Sequence, residues 1–202
     1  MAHPARLPNK RTAWRVAALL LAAACTAKQP SQLHLRINMS SPNVAQQNGL
    51  YFYNKQPFTG CLFALQQNGR DTAFSGYFTE GKENGLQRKW YPNGRLCEER
   101  MFDHGLKTGV HKGFWENGKP RFRYHFVKDM YEGTQYKYFW DGKLYTKKNY
   151  KNGQEAGMQQ EWSQQGQLVI NYQSVNGRQY GNIGKKNCAS IWVDSVYAKP
   201  RP

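Results

Sequence analysis

Large apolar side chains come in adjacent couples along the middle of the chain. Trp90-Tyr91, Phe114-Trp115 and Tyr138-Phe139 recur at intervals of 24 residues, with Leu65-Gln66 before them and Trp162-Ser163 after them. Each couple is the fifth and sixth residue after a glycine, at Gly60, Gly85, Gly109, Gly133 and Gly157, and Gly181 continues the series. A second glycine column, Gly69, Gly94, Gly118, Gly142 and Gly166, follows nine places behind the first. A third runs Gly81, Gly105, Gly153 and Gly177, with Asp129 in the one missing place. A sequence period between about 20 and 50 residues signifies a repeat array, in which each unit buries its faces by stacking on its neighbours.

The centre of a unit reads as a β-hairpin. Asn93-Gly94, echoed by Asn117-Gly118, Asn68-Gly69 and Asp141-Gly142, is the dipeptide favoured in type I′ turns, where both central residues need positive φ. With a two-residue loop, Tyr91 faces Leu96, Trp90 faces Cys97, Trp115 faces Pro120 and Phe139 faces Leu144. A second turn at Gly81, Gly105, Gly153 and Gly177 hands each hairpin to the next. The predicted fold is therefore all-β: an elongated antiparallel meander of about five 24-residue hairpins, with a helix only in the amino-terminal signal. At roughly 4.8 Å per strand, about ten strands make a twisted sheet of roughly 45 Å. Neighbours on a strand point to opposite faces, so each face carries an aromatic column, expected chiefly to bind the sheet together.

The ends differ in character. Arg6, Lys10, Arg11 and Arg15 precede the apolar run Val16–Ala24, the grammar of an export signal. Leu21-Ala22-Ala23-Ala24-Cys25 resembles a bacterial lipobox, which implies cleavage before Cys25 and lipidation of its thiol; Thr26 in the next place implies the outer membrane of a Gram-negative envelope. Leucine stands one place further from the cysteine than that motif prefers, so ordinary signal-peptidase cleavage is the alternative. The predicted organisation is a signal over 1–24, a flexible tether over 25–49, the array over 50–181 and a tail over 182–202 that caps the last hairpin.

The pattern G-x-x-x-x-aromatic-aromatic-x-N-G-K/R-L, clearest from Gly85 to Gly153, resembles the variant MORN repeat of bacterial proteins, many of them YwqK-type antitoxins. The resemblance covers residues 60 to about 180 and implies a hairpin array serving as an interaction scaffold, with a suggestion of membrane recognition and none of catalysis. Departures from it are Asp129, Gln165-Gly166-Gln167, and one extra residue between Gly69 and Gly81.

Charge adds a candidate function. The chain has 29 Lys+Arg against 13 Asp+Glu, a formal +16, and without residues 1–24 the balance is 25 minus 13, or +12. At 14% aromatic it is too rich in buriable side chains for a disordered polycation. No stretch approaches the roughly 20 apolar residues of a spanning helix. The candidate binding surface is Trp90, Tyr91, Trp115 and Phe139 with Arg88, Lys112 and Arg121, suited to an acidic protein or an anionic envelope component. Export argues against nucleic acid as the partner. His34, His104, His111 and His125 lack metal-ligand spacing, and no nucleophile elbow or phosphate loop occurs, so neither catalysis, a metal nor a cofactor is expected. Cys61, Cys97 and Cys188 are an odd set, in which Cys188 ties down the tail or all three stay unpaired. The expectation is an exported, outer-membrane-anchored, non-catalytic scaffold. The alternative, which requires an unprocessed amino terminus, is a cytosolic antitoxin-like protein that binds a toxin.

Overall fold

The computed structural model of the chain describes residues 35–184. The signal segment with its expected helix, the lipidation candidate Cys25, Cys188 and all of the tail beyond 184 lie outside the described residues. Sixteen strands and no helix make up the described part. They are β1 (Arg36–Asn38), β2 (Val44–Gln47), β3 (Leu50–Tyr53), β4 (Gln56–Pro57), β5 (Gly60–Leu65), β6 (Thr72–Thr79), β7 (Lys82–Trp90) and β8 (Leu96–Asp103). There follow β9 (Leu106–Phe114), β10 (Pro120–Val127), β11 (Met130–Tyr131), β12 (Gly133–Tyr138), β13 (Leu144–Lys151), β14 (Gln154–Trp162), β15 (Leu168–Val175) and β16 (Arg178–Asn182).

From β5 to β16 the chain runs as an antiparallel meander, each long strand paired with the next and short β11 beside β10. The thirteen-stranded sheet is completed by β1, which pairs parallel to β5. Residues 36–47 therefore correct the expected tether, because they supply β1 and β2. The reason is apolar: Ile37, Met39 and Val44 pack on the most deeply buried cluster, Phe58, Leu62 and Phe78, each at most 2% exposed. Strands β2, β3 and β4 form a separate small sheet. The Tyr51 N–H donates to the Gly81 carbonyl and the Gly81 N–H to the Phe58 carbonyl, stitching that sheet to the β6–β7 turn.

Two turn types alternate, and they are assigned the other way round from the sequence expectation. Type I′ geometry belongs to the linking turns: Glu80-Gly81, His104-Gly105, Lys128-Asp129, Asn152-Gly153 and Asn176-Gly177 all have positive φ at both residues. In the Asn-Gly turns only the glycine does, with φ of 79° at Gly94 and 87° at Gly118. There the Gly94 N–H donates to the Tyr91 carbonyl and the Tyr91 N–H to the Arg95 carbonyl, which encloses a three-residue loop, Pro92-Asn93-Gly94. This is a type I turn followed by a left-handed glycine, the commonest three-residue hairpin. Consequently Trp90 faces Leu96, Phe114 faces Pro120 and Tyr138 faces Leu144, so the expected pairings of Trp90, Trp115 and Phe139 are each off by one residue.

One extra residue then sits in the returning strand of every hairpin. The register shifts fall at Ala73, Cys97, Arg121, Tyr145 and Val169, the extra residues, at 24-residue intervals. Such bulges strengthen the local twist. The sequence's one-residue insertion is absorbed in the first hairpin turn, where Gln66 closes with Asp71 across a longer loop.

Candidate functional site

Direct cross-strand partners project from the same face of a sheet. The row Ser75, Arg88, Glu99, Lys112, Arg123, Tyr136, Lys147, Gln160 and Asn171 therefore marks one face, called here the first. Two residues along the strands, the same face carries Leu65, Trp90, Phe114, Tyr138 and Trp162, all partly exposed. Among the seven candidate residues, Arg88, Lys112 and Trp90 share this face. Glu99 lies between the first two, 3.0 Å from Arg88 and 3.7 Å from Lys112.

Tyr91, Trp115, Phe139 and Arg121 turn the other way. Trp115 and Phe139 are 7% and 6% exposed, so they present little surface to a ligand. Their polar atoms are spent between hairpins. Gln66 Nε2 donates to the Trp90 carbonyl, Tyr91 Oη to the Phe114 carbonyl and Trp115 Nε1 to the Phe139 carbonyl, a ladder that repeats about every 24 residues. Burial and contact with Cys97 push the Tyr91 hydroxyl up to about 12. Arg121 forms a short ion pair with Glu98, and its guanidinium lies 5.6 Å from the Trp115 ring centre and 5.2 Å from that of Phe122.

The turn signature has the same purpose. Asn93 Oδ1 accepts the Arg95 N–H, and Asn93 Nδ2 donates to the Glu116 carbonyl of the next turn. Asn117 does the same with Lys119 and the Trp140 carbonyl. Arg95, Lys119 and Lys143 each reach forward to a carbonyl of the following turn, Glu116, Asp141 and Gln164. The N-G-K/R motif thus joins neighbouring turns, and part of the positive charge is structural.

A buried polar column was not foreseen. Gln87, His111, Gln135 and Gln159 follow the leading glycines by two places and are at most 6% exposed. They fill the gap where Gly85, Gly109, Gly133 and Gly157, all at positive φ, lift the chain off its neighbour. Gln135 is the fullest case: Oε1 accepts the His125 N–H at 2.8 Å, while Nε2 donates to the Glu132 carbonyl at 2.9 Å and the His125 carbonyl at 3.2 Å. Gln159 Nε2 reaches the Asn149 carbonyl, and His111 Nε2 the Met101 carbonyl. Burial, with Arg100 and Lys107 nearby, lowers the His111 pKa. The signal available in the sequence was the 24-residue spacing of Gln, His, Gln and Gln.

Beyond the seven candidate residues, the first face adds Arg123 and Lys147. Arg123 stands directly between Lys112 and Tyr136, and Lys147 between Tyr136 and Gln160, with no acid across from either. The row from Arg88 to Lys147 holds four cations and one carboxylate, a net +3. Cys61 and Cys97 are free thiols. Among the described residues no three His, Cys, Asp or Glu side chains converge as a metal site. No protein-family model matches this sequence, and no curated protein matches it.

Proposed function

We propose that the protein is an exported, lipid-anchored, non-catalytic scaffold whose five MORN-like hairpins present the first face to an anionic component of the cell envelope. One observation carries this reading: Lys112 and Arg123 are directly opposite each other on adjacent strands. Like charges so placed are destabilising, and an anion bound above them removes the penalty. Arg88 and Lys147 extend the row to either side, and Trp90, Phe114 and Tyr138 flank it, so that the surface offers charge with apolar contact beside it. At roughly 4.8 Å per strand, the row matches a closely spaced set of phosphates better than a single one. The sequence supplies the address, in the signal grammar of residues 1–24 and in Cys25 as the lipid acceptor.

Two measurements test the proposal. Intact mass and fractionation in a Gram-negative host should give a membrane-bound species that begins at Cys25 and carries lipid; an unprocessed cytosolic chain would favour the toxin-binding reading. Vesicles containing phosphatidylglycerol should bind the Cys25→Ala chain, and vesicles of phosphatidylcholine should not. Binding should fall as salt rises and be lost in Lys112→Glu/Arg123→Glu. Equal binding to both vesicles, or no effect of the double reversal, refutes the assignment of the face.

A further inference from the structure

On the second face a pocket of about 220 Å³ opens between β8, β9, β10 and β11. Its aromatic side is Phe122, Tyr124, Phe126 and Tyr131; its other wall is Arg100, Lys107 and the edge of His111. The aromatic side is tightly ordered. Phe122 stacks on Tyr124 at 4.5 Å and 13°, and Phe126 on Tyr131 at 4.7 Å. Phe122 reaches this position because Gly113 leaves room for it: a Cβ there would come within 2.2 Å of its ring.

Charge at this place breaks the period. The residues in register with Arg100 are Gly76, Tyr124, Lys148 and Tyr172, and those in register with Lys107 are Glu83, Tyr131, Glu155 and Gln179. Where glutamate occupies the second position it accepts hydrogen bonds. Glu83 takes the Gln87 amide, and Glu155 takes the Tyr172 hydroxyl and the Gln179 amide. At Arg100 and Lys107 both positions are cationic, and the polar residue beside them is His111, which has its own carbonyl at Met101. Glu98 lies 2.6 Å from Arg100 but is shared with Arg121. Lys107 has no ion pair among the described residues; its ammonium rests 5.6 Å above the Phe126 ring, and the Asp129 carboxylate accepts its backbone N–H. The glutamate that closes this position at Glu83 and Glu155 is thus missing, and two cations face an aromatic wall.

We infer that this pocket binds a small phosphate ester carrying a planar ring, with Arg100 and Lys107 on the phosphate and the ring against Tyr124 and Tyr131. Two cations suit a dianion, and a guanidinium can grip two phosphate oxygens at once. The volume is below that of pockets for drug-sized ligands, so a single ring with its phosphate fills it. The site lies on the opposite face from the basic row and stands independently of the scaffold reading.

Phenyl phosphate is the probe, titrated into the full chain by calorimetry or by line broadening of its phosphorus resonance. A ligand of that size should bind with a dissociation constant on the order of 1 mM. Phenol and inorganic phosphate should each bind at least about tenfold more weakly, since each engages only one wall. Lys107→Gln installs the residue found in register at Gln179, and Lys107→Glu the one found at Glu83 and Glu155, so both belong to the fold's own vocabulary. Both should retain the melting temperature and weaken binding by about tenfold or more, and Arg123→Glu on the other face should leave it unchanged. Absence of phenyl phosphate binding up to about 20 mM overturns the proposal. So does undiminished binding in folded Lys107→Gln, or inorganic phosphate binding as well as the ester.

Discussion

Replacing Gln135 by leucine tests whether the buried polar column holds the sheet together. Leucine has nearly the same volume and no hydrogen-bonding atom, so packing changes little while the three nearest partners lose the amide. Two of the three have a second donor: the His125 carbonyl also accepts the Glu132 N–H, and the Glu132 carbonyl faces His125 Nδ1 at 3.2 Å. The His125 N–H has Gln135 Oε1 as its side-chain acceptor, and leaving such a donor unsatisfied costs about 1–3 kcal/mol. We therefore expect a loss of about 2 kcal/mol, centred on that one amide. Unfolding of a repeat array need not be two-state, so the decisive readout is local. Exchange of the His125 amide should accelerate by about thirtyfold, the equivalent of that loss at 1.4 kcal/mol per factor of ten. Gln135→His, which copies His111 in the matching place, returns a donor to a carbonyl but no acceptor to the His125 N–H, so it should lose nearly as much as leucine, about 1–2 kcal/mol. A Gln135→Leu protein within about 0.5 kcal/mol of wild type, with unchanged exchange at His125, would show that the column is incidental.

Two glycines separate steric from backbone strain. Gly113→Ala must displace the Phe122 ring, for about 1–3 kcal/mol and a fall of about 3–10 °C in melting temperature. At Gly118 an added Cβ meets no atom within 4 Å, so the cost of Gly118→Val, about 1–3 kcal/mol, comes chiefly from φ of +87°; wild-type stability would refute the turn assignment. Tyr91 titrates at about 12 when folded and near 10 when unfolded, so its contribution is complete below pH 10 and lost as pH rises from about 10 to 12. Denaturation midpoints across that range should fall less steeply in Tyr91→Phe. His111 has the opposite sense: its folded pKa is lowered, so its contribution is present above about pH 6.5 and is lost as pH falls below it. His111→Gln should remove that acid dependence while keeping stability at neutral pH, and an unchanged acid limb would place its origin elsewhere.

The period and the all-β class were legible because glycine marks backbone, and backbone geometry repeats wherever the turns do. The turn types were harder to assign. Asn93-Gly94 favours type I′ by composition, yet Pro92 before it fixes φ near −65°, which suits the second place of a type I turn, with Gly94 in the fourth. Asparagine is there for its side chain, which bonds its own turn and the next one, as Asn117 does to Trp140. Only the brief alternation Leu33-His-Leu-Arg-Ile37 marks β1 in the sequence, too short to stand alone, and its three residues are held by a parallel neighbour 25 places away. The buried glutamines were passed over for a different reason. Gln135 looks like any solvated polar residue until the bulge beside it strands an amide that needs a partner.

A periodic sheet also changes how a functional residue is recognised. Positions that repeat faithfully, such as Trp115 or Asn117, have structural duties that explain them: each closes a bond to the next turn about 24 residues on. Function has to be sought where a column departs from its neighbours without a contact that accounts for the change. Lys107 replaces the glutamate of Glu83 and Glu155 and gains no acid in exchange, and Arg123 faces Lys112 where Arg88 faces Glu99. Each departure leaves positive charge uncompensated, on opposite faces and on adjacent strands. If both arose from tolerance alone, restoring the periodic residue at either place would raise stability and change no binding. If they are sites, Lys107→Glu removes phenyl phosphate and leaves vesicle binding intact, Arg123→Glu does the reverse, and the two losses separate on one molecule.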